Sequence, residues 1–181
     1  TDSIGCAGVA TVTITQPPAL NAILASKTNV SCAGSCNGSA TLTASGGKTP
    51  YSFLWPNSQT TSTATGLCTG TFIVTVTDSN LCTTTVPVTI FQPSPILLTI
   101  SSTNATCGMS DGTATVTISG GTNPYTFLWN TGAQTQSIAS LPAGTYTVTV
   151  TDVNNCKQSV NVTVNNFSSL SLTTSAVNVT C

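Results

Sequence analysis

Eight cysteines are the residues of this 181-residue sequence whose type and spacing point most directly to chemistry. The chain has no histidine, so a zinc site of cysteine and histidine is not expected. Regularly spaced cysteines instead predict disulfide bonds, and therefore an oxidising, extracellular location. Two sequence contexts recur: Asn-x-x-Cys ends at Cys32, Cys107 and Cys181, and a Thr-Asp motif precedes Cys6, Cys82 and Cys156.

The four acidic residues offer little for acid–base catalysis. Asp2, Asp78 and Asp152 occupy one repeated position and Asp111 stands alone, so paired carboxylates are not expected within a repeat. Without histidine there is no candidate triad, and we expect no enzyme activity and no cofactor. The repeated Asp is expected to begin a turn by accepting backbone amides. A calcium site at Asp152 and Asn154 is the alternative, with a single carboxylate.

Charge is scarce, with three basic and four acidic residues. So few cations cannot neutralise a row of phosphates, and no nucleic-acid partner is expected. No apolar run approaches the roughly 20 residues that span a bilayer as a helix, so no membrane span is expected in this segment.

The elements that must position the cysteines recur as a tandem repeat. The Asn-x-x-Cys cysteines are 75 and 74 residues apart, and the Thr-Asp cysteines are 76 and 74 residues apart. Two landmarks with one period indicate repeats of about 75 residues. We divide the chain into the last strand of an upstream repeat (1–17), two full repeats (18–93 and 94–167) and the first strand of a downstream repeat (168–181).

Each repeat has the pattern of short β-strands. Ala114, Val116 and Ile118 alternate with threonines, as in a half-buried strand, and Tyr146, Val148 and Val150 do the same. Turn signals such as Gly-Gly and Asn-Pro separate these runs, and no stretch has helical periodicity. The sequence predicts an all-β fold of tandem immunoglobulin-like β-sandwich repeats, with six or seven strands each.

The paired aromatic residues of each repeat are expected in the core. These are Tyr51 and Trp55 in the first repeat, and Tyr125 and Trp129 in the second. Buried tryptophan is typical of such sandwiches, whereas stacking of these rings on a sugar is the alternative reading.

The stretch Leu-Pro-Ala-Gly-Thr-Tyr resembles the corner at which a tyrosine hydroxyl ties two crossing strands of immunoglobulin-like sandwiches. Tyr146 fits this role, but the first repeat has Phe72 at the same position. Cys36 and Cys68 also occur only in the first repeat. We predict a Cys36–Cys68 disulfide that replaces the missing tyrosine tether.

The remaining cysteines leave several pairings open. Cys32–Cys82 and Cys107–Cys156 would each close one repeat, and Cys6 and Cys181 would then bond neighbouring repeats. With four strands between Cys32 and Cys82, the two cysteines lie at the same end of a sandwich. With five, they lie at opposite ends, too far apart for a disulfide. The alternatives are Cys6–Cys32, Cys82–Cys107 and Cys156–Cys181 around the junctions, or a bond from one repeat to the next, as in Cys32–Cys156.

The landmarks of residues 110–156 occur in the order Gly-Gly, Pro-Tyr, Trp, Leu-x-x-Gly-Thr-Tyr and Thr-Asp. In this they resemble the SprB-type repeat of giant surface adhesins in gliding bacteria. The first repeat departs at Cys36, Cys68 and Phe72. The resemblance implies a secreted, cell-surface array of immunoglobulin-like modules in a filamentous adhesin, with no catalytic residues.

Candidate glycosylation sites are frequent in this threonine- and asparagine-rich chain. Asp-Ser-Ile at 2–4 resembles the O-glycosylation signal of some gliding bacteria, with Ser3 as the acceptor. The Asn-x-Ser/Thr motifs are at Asn29, Asn37, Asn104, Asn161, Asn166 and Asn178.

These observations predict a structural segment of a long extracellular repeat protein, which provides reach and disulfide-stiffened mechanical stability. Its expected partners are neighbouring repeats of the same chain, or identical chains in a filament or bundle. The alternative is an adhesion module whose exposed face binds a glycan or a protein.

Overall fold

A computed structural model describes residues 11–167, and the only regular elements in that part of the chain are β-strands. No helix there is long and apolar enough to cross a membrane. The described residues form two compact units. Residues up to 30 and 36–91 make the first unit, and residues 31–35 and from 92 onwards make the second.

The first unit is a sandwich of two three-stranded antiparallel sheets. One sheet has the order β1-β2-β4 and the other has the order β3-β5-β6, which is the immunoglobulin-like division of strands. The six strands are Asn21–Thr28 (β1), Gly38–Ser45 (β2), Ser52–Leu54 (β3), Thr63–Leu67 (β4), Gly70–Thr77 (β5) and Thr83–Ile90 (β6).

The second unit repeats this arrangement. Its sheets have the orders β7-β9-β11 and β10-β12-β13, and a short parallel pair joins β8 to β14. The strands are Leu97–Thr103 (β7), Ala105–Thr106 (β8), Gly112–Ser119 (β9), Tyr125–Trp129 (β10), Ser137–Leu141 (β11), Gly144–Asp152 (β12), Lys157–Val164 (β13) and Asn166–Phe167 (β14).

Alternate residues of the long strands build the two cores, as the period-2 pattern predicts. In the first unit, Val74 and Val76 of β5 are fully buried, while the threonines between and beside them face outwards. Val148 and Val150 of β12 are equally buried in the second unit. The all-β sandwich predicted from the sequence is therefore confirmed, with six main strands around each core.

Two short strands of the first unit share a single crossing of the sandwich. β3 pairs with the end of β5, from Ser52 opposite Thr77, and stops after three residues. β4 pairs with the first half of β2 and ends at Leu67, opposite Gly38. β3 and β4 therefore run one after the other in the direction opposite to β2, and together they make one passage from end to end of the sandwich. Four strands, β2 to β5, lie between Cys32 and Cys82, and counting each of them as a full crossing would wrongly place both cysteines at the same end of the sandwich.

This geometry corrects the cysteine pairing inside each repeat. Cys32 follows Val30, whose amide donates to the carbonyl of Phe91, at the end of the sandwich where β6 finishes. Cys82 precedes the start of β6, eight residues and roughly 26 Å away along an extended strand. The predicted Cys32–Cys82 bond is therefore wrong, because a disulfide needs Cα atoms about 4.4–6.8 Å apart.

The second unit repeats this separation, so Cys107–Cys156 is wrong for the same reason. Ala105, two residues before Cys107, donates its amide to the carbonyl of Asn165 beyond the end of β13, whereas Cys156 precedes the start of β13. Cys32 and Cys156 are instead bonded to each other, which also overturns Cys6–Cys32 and Cys156–Cys181. Cys82 and Cys107 are both free thiols, so the alternative of a Cys82–Cys107 bond within one chain is wrong too.

Candidate functional site

The Cys32–Cys156 disulfide lies in the second unit, to which the loop of residues 31–35 belongs. The sulfurs are 2.03 Å apart, the Cα atoms are 5.6 Å apart, and the two residues are separated by 124 positions in the sequence. The amide of Gly34 donates to Oε1 of Gln92 at 3.1 Å and fixes the loop beside its disulfide. A cavity of about 260 Å³ lies next to the bond and is lined by Ala33 and Pro93, among others.

The turn that carries Cys156 is organised by Asp152. This carboxylate is 5% exposed and accepts three backbone amides: Thr122 at 3.0 Å, and Asn154 and Cys156 at 2.9 Å. The amide of Asp152 in turn donates to the carbonyl of Cys156 at 3.0 Å. The repeated Asp thus closes a turn through its own backbone and side chain.

Asp78 holds the equivalent turn in the first unit. It accepts the amides of Lys48, Asn80 and Cys82 at 2.9–3.0 Å. The hydrogen bond from the Lys48 amide is the main cause that lowers the pKa of Asp78, and it outweighs the opposing effect of burial. Among the described residues, no group of three or more His, Cys, Asp or Glu side chains is placed to hold a metal ion.

In the two Asn-x-x-Cys motifs within residues 11–167, the asparagine positions the cysteine loop. Oδ1 of Asn29 accepts the amide of Phe91 at 3.1 Å, and Oδ1 of Asn104 accepts the amide of Asn165 at 3.3 Å. Two residues earlier than each cysteine, Val30 and Ala105 are buried and bond the same partner strands through their amides. From the sequence alone, these asparagines are repeat landmarks and glycosylation motifs. Their recurrence beside each cysteine was the signal that could have shown this structural role.

The first unit has a disulfide at the corner where the second unit has a tyrosine. Cys36 and Cys68 are bonded, with Cα atoms 3.9 Å apart, and flank the paired ends of β2 and β4. In the second unit the hydroxyl of Tyr146 donates to the carbonyl of Pro142 at 2.8 Å. Phe72 packs against the core but has no hydroxyl to make that bond.

The tyrosine and tryptophan pair of each repeat is packed and hydrogen-bonded inside its unit. Trp55 and Trp129 are only 1% and 2% exposed, and their indole N–H groups donate to the carbonyls of Thr61 and Thr135. The hydroxyls of Tyr51 and Tyr125 donate to the carbonyls of Gly46 and Gly120 at 2.6 and 2.7 Å. These rings are part of the cores, so a stack of them on a sugar would require them to leave their packing.

The candidate acceptors within the described residues lie on the surface. The exposed asparagines are Asn29, Asn37, Asn104, Asn161 and Asn166. Ser3, Asn178, Cys6 and Cys181 lie outside the described residues. Glycosylation of these sites stays a prediction.

Two segments of the chain match the SprB repeat. The matched residues are 24–60 and 99–134, which run from the first strand of each unit past its tryptophan. This confirms the resemblance to the SprB repeat for these two segments of the chain. No curated protein matches this chain.

Among solved structures, the chain is similar to the C-terminal 282-residue fragment of intimin, solved in complex with the intimin-binding domain of the translocated intimin receptor. The two are 17% identical, the match covers 83% of this chain, and the TM-score is 0.37. The chain spans 64% of the length of that fragment.

Proposed function

We propose that this chain is a structural segment of a long extracellular repeat protein, a surface-adhesin stalk or filament, and that its disulfides limit how far it extends under tension. Residues 18–93 and 94–167 are two complete repeats of the array in this proposal. The observation that carries it is the Cys32–Cys156 disulfide, which joins two points of the chain 124 positions apart.

The mechanical argument follows from the position of this bond in the sequence. Tension applied at the chain ends passes through a disulfide and cannot extend the residues between its cysteines. The enclosed span of 124 positions would otherwise lengthen by roughly 3.5 Å per residue, or about 430 Å. All strands from β2 to β12 lie between the two cysteines. If these strands unfold, they do not lengthen the chain, because the disulfide carries the tension past them.

The disulfides also support an extracellular location, since such bonds persist in oxidising compartments. Neighbouring repeats are the proposed partners, and identical chains would be added in a filament. Glycans on the exposed asparagines would cover a surface that carries few charges to prevent association.

An adhesion module is the alternative, and the outer face of the second sheet bears on it. Leu54 and Ile73 of the first unit are about half exposed, at 56% and 54%. The equivalent positions in the second unit are Leu128, also exposed, and Thr147, which is polar. A binding face repeated in every module would keep both apolar residues, so this difference favours the structural role.

The location is tested on intact source cells with an antibody raised against the chain. Immunogold labelling is expected on material outside the cell, without permeabilisation. Labelling only after permeabilisation would contradict an extracellular role. Glycan arrays and cell-adhesion assays with the full chain test the alternative, and selective binding there would favour the adhesion module over the stalk.

A further inference from the structure

The described residues contain two cysteine turns and two cysteine loops, but only one turn and one loop are bonded. The turn cysteine of the second unit, Cys156, holds the loop cysteine Cys32. The turn cysteine of the first unit, Cys82, and the remaining loop cysteine, Cys107, are exposed free thiols.

The free turn has the same construction as the bonded one. Asp78 accepts the amides of Asn80 and Cys82 at 2.9 Å, as Asp152 does for Asn154 and Cys156. The residue before each cysteine has a positive φ, 66° at Leu81 and 64° at Asn155. Cys82 is therefore presented by the same backbone that presents a disulfide-bonded cysteine.

A cavity accompanies both turns. Beside Cys156 it is lined by Cys32 and Ala33, which come from the bonded loop. Beside Cys82 a cavity of about 160 Å³ is lined by Pro18 and Leu20, with no cysteine loop among its lining residues. The equivalent residues of the two junctions, 93–96 and 17–20, line the two cavities, and the cysteine loop is a part of the lining that differs.

The free loop is also built like the bonded one. Asn104 and Ala105 bond the strand end at Asn165, as Asn29 and Val30 bond the strand end at Phe91. Gly34 and Gly108 follow their cysteines within two residues and have similar positive φ values, 77° and 74°. Cys107 is thus held at the equivalent strand end, although its loop turns one residue earlier: the Met109 amide donates to the carbonyl of Thr106, whereas the Ser35 amide donates to that of Cys32.

We propose that Cys82 and Cys107 are the two halves of a second disulfide of the same kind. The cavity beside Cys82 receives the Cys107 loop of a second copy of this chain, so that copies join head to tail. This rests on the proposed structural role and adds the partner. It predicts that each repeat gives its loop cysteine to one neighbour and receives one at its turn.

The bond needs an oxidant, and a small disulfide such as oxidised glutathione supplies it. The Cys107 thiolate attacks one glutathione sulfur and releases one glutathione thiol. The Cys82 thiolate of the second copy then attacks the Cys107 sulfur and releases the other. Two protein thiols are oxidised to one disulfide, and one glutathione disulfide is reduced to two thiols.

The test uses the full chain with Cys6→Ser and Cys181→Ser, treated with oxidised glutathione, and quantifies cross-linked peptides by mass spectrometry. Random pairing gives Cys82–Cys107 peptides about twice as often as Cys82–Cys82 or Cys107–Cys107 peptides. If the Cys107 loop binds in the cavity beside Cys82, this ratio should rise to about ten or more. A ratio near two would overturn the proposal. An equal mixture of Cys82→Ser and Cys107→Ser leaves one free thiol per chain and should give mainly heterodimers, whereas a heterodimer share near the random value of about one half would overturn it.

A second experiment, with a peptide, tests whether the loop binds beside Cys82 independently of the association of whole chains. A peptide of residues 28–35, carrying Cys32 as a glutathione mixed disulfide, should couple to Cys82 about tenfold faster than a scrambled peptide of the same composition. At Cys107 the two peptides should react equally. Equal rates at Cys82 would contradict the receiving site. Negative results in both experiments would not contradict the proposed stalk role, because the limit that Cys32–Cys156 sets on extension is measured separately, by pulling on a single chain.

Discussion

Asp78 shows at the scale of single residues how one carboxylate shapes a loop in a protein with very few charges. Its oxygens accept hydrogen bonds from three backbone amides, one in the loop before β3 and two in its own turn. These bonds exist only in the folded chain. The lowered pKa of Asp78 means that the ionised side chain stabilises the folded state more than the protonated side chain does. A neutral side chain at this position would present fewer acceptor oxygens to the same amides.

The first prediction concerns acid stability. Because the folded pKa of Asp78 lies below its unfolded value, its contribution is fully present above about pH 4. The contribution is lost as the pH falls through the lowered pKa. Asp78→Asn should therefore destabilise the first unit at neutral pH and flatten its stability loss in acid, measured by hydrogen exchange of β5 amides between pH 3 and 7.

Asp111 supplies the matched control for that experiment. The hydroxyl and amide of Thr106 lower the pKa of Asp111, which lies in the second unit. Asp111→Asn should alter the acid stability of the second unit and leave the first unit unchanged. An identical acid profile of the first unit with and without Asp78→Asn would refute this account.

The second prediction concerns the two corners. Tyr146→Phe should cost the second unit about 1 kcal/mol, since it removes one hydrogen bond. Cys36→Ser with Cys68→Ser should cost the first unit more, about 3–4 kcal/mol in the chain-entropy model for a 32-position loop. Chemical denaturation followed by hydrogen exchange resolves the two units.

The compensation itself is tested by restoring the tyrosine. Phe72→Tyr, added to Cys36→Ser and Cys68→Pro, recreates the corner of the second unit and should recover about 1 kcal/mol. The same Phe72→Tyr change in the disulfide-bonded chain should gain much less. Equal gains in both backgrounds would show that the disulfide does not replace the tether.

At the scale of elements, Gly112 sets how closely β9 can approach its neighbours. A Cβ added there would lie 2.6 Å from Cγ1 of Val164 and 2.9 Å from the carbonyl oxygen of Leu141. Gly38 meets the same crowding in the first unit, where its Cβ would lie 2.8 Å from the carbonyl of Leu67. Both glycines open a strand that carries alternating small and large core residues.

The third prediction is that Gly112→Ala destabilises the second unit by roughly 1–3 kcal/mol, because the strand or its neighbours must shift to admit the methyl group. Thr117→Ala on the exposed face of β9 is the control and should change stability by less than about 0.5 kcal/mol. Urea denaturation of the two variants measures both values. A cost of Gly112→Ala no larger than that of the control would contradict the packing described here.

The strands were predictable because their cores depend on a period-2 pattern that sequence shows directly. Val148 and Val150 are buried and their threonine neighbours are not. The pairing of Cys32 was not predictable, because it depends on which strands make a full crossing. Neither the three-residue length of β3 nor its sharing of one crossing with β4 leaves a pattern in the sequence.

At the scale of the whole molecule, the two disulfides differ in what they can do. Cys36–Cys68 encloses 32 positions and acts on one corner of the first unit. Cys32–Cys156 encloses 124 positions, and the shorter loop lies entirely within it. Only the longer bond therefore sets the extension of the intact chain, and the shorter one becomes the limit when the longer is removed.

The most direct measurement is the length that a single chain gains when it is pulled from its two termini and fully unfolded. The chain carries serine in place of its unbonded cysteines, and it is stretched with and without reductant. The disulfide-bonded chain should release about 430 Å less than the reduced chain. Cys32→Ser, which keeps only Cys36–Cys68, should release about 320 Å more than the bonded chain, since 92 further positions are freed. Equal lengths with and without reductant would contradict the claim that this disulfide limits extension.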